Sequence, residues 1–82
     1  MTNKLYISNL SHGVTREQLE QHFAKVGKVI STKVMIDKEG LGKGYGFIEM
    51  ATPEEAEQAK RILKHTELDG KKIEIEDQKY QP

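Results

Sequence analysis

Lys43-Gly44-Tyr45-Gly46-Phe47-Ile48-Glu49-Met50 alternates at every step. Gly44, Gly46, Ile48 and Met50 hold one parity; Lys43, Tyr45, Phe47 and Glu49 hold the other. Successive side chains of a strand point to opposite faces, so this octad predicts a strand with Ile48 and Met50 toward a core. Tyr45 and Phe47 then face outward. Upstream, Asp37-Lys38-Glu39-Gly40-Leu41-Gly42 has the composition of a turn. Before it, Val29 to Asp37 alternates, with Thr32, Val34 and Ile36 on one face and Lys33 and Met35 on the other. Leu5-Tyr6-Ile7, between Lys4 and Ser8, predicts a first strand with Leu5 and Ile7 inward and Tyr6 outward. Ile73-Glu74-Ile75-Glu76, after the Asp69-Gly70 turn, predicts a fourth.

Two helices fit between these strands. Thr15 is placed to cap the first, with Gln18 completing a capping box and Val14 and Leu19 at the positions of a hydrophobic staple. Leu19, Phe23 and Val26 share one helical face, and Gly27 is expected to stop the helix in a left-handed conformation. Thr52-Pro53-Glu54-Glu55 predicts the second start: a cap, a proline at the first helical position and a glutamate to complete the box. Ala56, Ala59 and Leu63 form its apolar stripe, while Glu54, Glu55 and Glu57 complement the helix dipole. The order β-α-β-β-α-β predicts an α+β, ferredoxin-like sandwich: a four-stranded antiparallel sheet with both helices on one face. The other face is left open.

The 82 residues are expected to form one domain, 1–82, with a frayed tail from about residue 78. Thirteen basic and thirteen acidic side chains leave no formal net charge, which argues against bulk attraction to nucleic acid or to an anionic membrane. Cysteine is absent, excluding disulfides, thiolate zinc sites and a cysteine nucleophile. No apolar run approaches the roughly 20 residues needed to span a bilayer, and residues 1–20 lack a secretory core. The expectation is a cytoplasmic monomer without a membrane role.

Three of the five aromatic rings, Tyr6, Tyr45 and Phe47, fall on the open face. Leaving apolar surface wet forgoes about 25 cal/mol per Å². Flat rings on adjacent strands are platforms for unpaired bases, each stacked base worth about 1–3 kcal/mol. Lys4, Lys33 and Lys43 share the parity and are placed to meet phosphates.

The octad resembles the octamer of the RNA recognition motif family, basic–Gly–aromatic–Gly–aromatic–aliphatic–x–aromatic. Seven of its eight positions agree; Met50 replaces the final aromatic, on the core parity. Leu5-Tyr6-Ile7-Ser8-Asn9-Leu10 resembles that family's hexamer, and the likeness extends over essentially the whole chain. Beginning at Met1 without flanking arms, the chain resembles the family's stand-alone bacterial or organellar members, and one domain of a larger protein is an equal expectation. The resemblance implies that Tyr6, Tyr45 and Phe47 stack bases or contact sugars and that Lys43 meets backbone phosphate. The expected partner is single-stranded RNA, with single-stranded DNA an alternative. The expected RNA-binding residues are Lys4, Tyr6, Lys33, Lys43, Tyr45, Phe47 and Gln78.

Other readings compete. Glu49, Glu74 and Glu76 share the open-face parity and offset the three lysines. The first fifty residues hold seven basic and five acidic groups and the last thirty-two hold six and eight, so the basic potential belongs to the first three strands. A footprint of about two to four nucleotides and micromolar or weaker affinity follow. The glutamates can accept hydrogen bonds from base amino groups, and Glu74, Glu76 and Gln78 are further candidates for base selection. A protein-interaction domain of the same fold is a second reading, but His65-Thr66-Glu67-Leu68-Asp69-Gly70 lacks the Arg-x-Phe loop of such members. An acyl-phosphate hydrolase is a third; both arginines, Arg16 and Arg61, fall on helices and no phosphate-cradling loop follows the first strand. No catalysis and no cofactor are expected. His12, His22 and His65 lack metal-site spacing and are expected to be solvated, so no metal is expected. Glycines 40, 42, 44 and 46 match no phosphate-loop spacing. A last possibility is that the tail, with Tyr80, folds back over the open face.

Overall fold

A computed structural model describes residues 2–78. The elements run β1 (Lys4–Ser8), α1 (Arg16–Ala24), β2 (Val29–Ile36), β3 (Gly42–Met50), α2 (Pro53–Leu63), β4 (Glu67–Leu68), β5 (Lys71–Lys72) and β6 (Glu74–Asp77). β2, β3, β1 and β6 form one sheet in that order, and every neighbouring pair is antiparallel. The apolar parity of each strand meets the helices: Leu5 and Ile7 of β1, Ile48 and Met50 of β3 and Ile75 of β6 are buried with Leu19 and Phe23 of α1 and Ala56, Ala59 and Leu63 of α2. The fold is the ferredoxin-like α+β sandwich. Among the described residues, no helix covers the opposite sheet face.

Local chemistry explains the helix starts. Thr15 accepts from the Gln18 N–H at 3.1 Å and the Gln18 side chain accepts from the Thr15 N–H at 2.9 Å, a complete capping box. Val14 and Leu19 are both buried beside it. Thr52 likewise accepts from the Glu55 N–H at 3.1 Å. Glu55 does not complete that box, however. Its carboxylate reaches across to the Lys28 N–H, 2.9 Å away, and joins the start of α2 to the turn after α1. Gly27 differs from expectation for the same reason. α1 ends at Ala24 with Lys25 as a right-handed cap, and Gly27 lies outside the left-handed region. A Cβ on Gly27 would lie only 3.0 Å from a Glu55 carboxylate oxygen, so the glycine provides clearance rather than a helix stop.

Beneath the octad, a Cβ on Gly46 would collide with the Lys33 carbonyl and sit 3.4 Å from Leu19 Cδ2. Its absence lets β2 and α1 close on β3. Gly44 adopts φ +89°, a left-handed conformation inside the strand, and the register slips opposite it between Val34 and Ile36. That irregularity turns Ile36 outward, where it is 57% exposed instead of following Val34 toward the core. A small hairpin also precedes the last strand, β4 pairing with β5 around Asp69 and Gly70. Asn9 Nδ2 donates to the Lys72 carbonyl at 2.7 Å and anchors that hairpin to the end of β1. The last strand runs one residue later than its alternation predicts, because Ile73 pairs with Thr66 and His65 instead.

Candidate functional site

Across the middle of the open face, register places Lys33, Phe47, Tyr6 and Glu76 in one line from β2 to β6. The three aromatics form a triangle around Tyr6. Its ring centre is 5.6 Å from that of Phe47 and 5.8 Å from that of Tyr45, and the Tyr45 and Phe47 centres are 6.1 Å apart. Tyr45 and Phe47 meet edge to face at 89°, and both tilt about halfway toward Tyr6. Centroid spacings of this kind are favourable aromatic pairings, so the rings brace one another while each remains half-buried.

Charge runs down this line. Lys33 stands exposed at the β2 end, and Glu76 stands exposed at the β6 end. The next line places Ser31, Glu49 and Lys4 side by side. The Gln78 N–H extends it by donating to the Lys4 carbonyl at 2.9 Å. Glu49 accepts two long hydrogen bonds, from Asn3 Nδ2 and from Ser31 Oγ, each at 3.4 Å. Beside Phe47 an open hollow is bounded by Lys4, Ser31, Lys33, Phe47, Glu49 and Gln78. Among the described residues, no ion pair ties up Lys4, Lys33 or Lys43.

Tyr6, Tyr45, Phe47, Lys4, Lys33 and Gln78 therefore come together on or beside one surface. Lys43 is exposed two positions from Tyr45, but the left-handed Gly44 interrupts the pleat between them, so alternation alone does not fix its face. Asn3 and Ser31 join this surface through Glu49; alternation with Lys33 marks Ser31 in the sequence, whereas Asn3 precedes β1 and carries no such signal. Residues 79–82, with Tyr80, lie outside the described residues.

Several titratable groups away from this face tie elements together. His65 Nε2 meets the Glu74 carboxylate at 3.0 Å, which leaves Glu74 engaged. Lys60 bridges Glu57 at 2.8 Å and Asp77 at 2.9 Å, fastening α2 to β6; those two acceptors raise its pKa. His12 Nδ1 donates to the Gly42 carbonyl at 2.7 Å, closing the loop after β1 onto β3. His22 departs from expectation most clearly: it is buried, only 7% exposed. Thr66 Oγ1 donates to the Leu63 carbonyl at 2.6 Å, so it accepts from His22 Nε2 at 2.8 Å, which fixes that nitrogen as protonated. Burial, and then the nearby Lys25 charge, lower the His22 pKa.

The family model described as RNA recognition motif matches residues 5–74. Polyadenylate-binding protein 7 of Arabidopsis thaliana is 37% identical over 73 residues, covering 89% of this chain and 12% of that protein. The chloroplastic 29 kDa ribonucleoprotein of Arabidopsis thaliana is 36% identical over 81 residues, covering 98% of this chain and 24% of that protein. The chain thus spans a quarter or less of these relatives' own length. Among solved structures, RNA Binding Protein PG1 is similar with a TM-score of 0.89 at 30% identity, covering 99% of each chain. The Rna15 RRM with bound RNA (GU) is similar with a TM-score of 0.88 at 28% identity, covering 98% of this chain and 86% of that one.

Proposed function

Because the chain belongs to the RNA recognition motif family, we propose that its open sheet face binds single-stranded RNA, as a module that positions RNA and performs no catalysis. The observation that carries this reading is the triangle of Tyr6, Tyr45 and Phe47, with neighbouring ring centres within 6.1 Å on the sheet face opposite the two helices. Tyr6 and Phe47 stack two successive bases and Tyr45 packs on a sugar or a third base. Lys4, Lys33 and Lys43 neutralise phosphates, which orients the strand without reading its sequence. The exposed Glu76 repels phosphate at the β6 edge, so the path favours the β1–β3–β2 side. A footprint of about two to four nucleotides and micromolar or weaker affinity match so small a platform. The relative solved with bound RNA and the ribonucleoprotein relative support RNA as the partner. In this reading residues 1–82 act as one domain and as a monomer in the cytoplasm, with no cofactor.

Phe47→Ala tests it. The side chain is half-exposed, so the variant is expected to keep its fold while losing about 1–3 kcal/mol of binding to short RNA in fluorescence anisotropy. Unchanged affinity in a folded Phe47→Ala protein contradicts stacking on this face. The same oligonucleotide as DNA, run in parallel, asks whether the 2′-hydroxyls contribute.

A further inference from the structure

Stacking rings hold any base, yet the hollow beside Phe47 is chemically particular. Its distinctive group is a carboxylate. Glu49 lies two positions beyond Phe47 on the same parity and is half-buried. Each of its oxygens accepts one hydrogen bond at 3.4 Å, near the outer limit for such a bond, from Asn3 and from Ser31. A carboxylate has about four acceptor sites on its two oxygens, so about half of its capacity stays open, and Glu49 lines the hollow. Lys4 is its cross-strand neighbour on β1, and Lys33 is that of Phe47 on β2; both ammonium groups lack an ion-pair partner among the described residues. The hollow thus offers two adjacent acceptor oxygens flanked by cationic donors, next to a stacking ring.

We propose that this hollow is a guanine-selecting subsite and that Glu49 is its specificity-determining residue. The assignment rests on the RNA-binding reading above. Guanine alone among the four bases presents two adjacent donors, N1–H and the N2 amino group, on its Watson–Crick edge. Two carboxylate oxygens accept both at once. Its O6 and N7 are acceptors, the partners that lysine ammonium groups seek. Adenine and cytosine each offer one amino group beside a ring-nitrogen acceptor, which meets the carboxylate with only one bond. Uracil offers one N–H between two carbonyl oxygens, and those oxygens repel it. The ranking is therefore guanine first, adenine and cytosine next, and uracil last.

The test is an amide-shift and anisotropy titration of the whole chain with four RNA tetramers, UUGU, UUAU, UUIU (I, inosine) and UUUU. UUGU is expected to bind about tenfold more tightly than UUAU, and UUUU most weakly. Inosine lacks only the N2 amino group, so UUIU is expected to lose most of the advantage with the protein unchanged. In Glu49→Gln all four tetramers gain affinity from the removed negative charge, but the ratio of UUGU to UUAU is expected to fall toward one. Equal binding of the four, with shifts at Tyr6 and Phe47, overturns guanine selection and leaves RNA binding intact. A ratio that persists in Glu49→Gln, or an inosine tetramer as tight as guanine, overturns it too. Silence at the sheet face with every tetramer overturns the RNA-binding reading itself, and this proposal with it.

Discussion

Phe47 and Ile48 adjoin in sequence and part company in space: Ile48 is 1% exposed under the helices, while Phe47 stands half-exposed on the other face. Strict alternation in the octad made that legible, as it did for Leu5, Tyr6 and Ile7. His22 shows what alternation and spacing do not reach. Its burial depends on Thr66, 44 residues away, and no local pattern announces such a partner. The consequence is a pH dependence with a definite sign. Burial lowers the folded-state pKa below the ordinary histidine value of about 6.5, so the unfolded chain takes up the proton more readily. The stability tied to His22 is therefore complete above about pH 6.5 and declines as pH falls through that value toward the lowered one. Urea unfolding at pH 7.5 and 5.5 is expected to show a larger loss in the wild type than in His22→Gln, whose amide can still donate to Thr66. An equal loss in both proteins places the acid sensitivity elsewhere.

At the scale of elements, the starts of both helices were written locally, because a cap and its N–H partner lie within three residues of each other. The long-range half of the second start was not. Glu55 sits where a capping-box residue belongs, yet its carboxylate holds the Lys28 N–H, and only the approach of α2 to the turn after α1 brings them together. Glu55→Ala is expected to cost about 1 kcal/mol of stability in urea. Amide exchange should quicken at Lys28 and stay unchanged at Thr52; the reverse pattern contradicts the bridge. The β4–β5 hairpin escaped for a different reason. Its turn, Asp69-Gly70, is plain, but Glu67, Lys71 and Lys72 give no apolar alternation to mark strands. Ile36 escaped because its outward turn follows from the left-handed Gly44 on the partner strand.

For the molecule as a whole, zero net charge is misleading when taken as an average. Acidic groups near the open face are partly occupied, Glu74 by His65 and Glu49 by two weak donors, whereas Lys4, Lys33 and Lys43 have no ion-pair partner among the described residues. Three phosphate contacts imply a log–log salt slope of about −2 for single-stranded RNA, since each contributes roughly 0.7. A slope steeper than about −4 would point to a cationic surface beyond these lysines. The remaining, salt-insensitive affinity belongs to the rings. That division makes one measurement the most direct: amide chemical shifts of the whole chain, titrated with a pool of short single-stranded RNAs at low and moderate salt. Shifts gathered on Tyr6, Lys33, Tyr45 and Phe47 and weakening with salt are expected. Shifts confined to α1 and α2, with the sheet face silent, would contradict RNA binding on this surface.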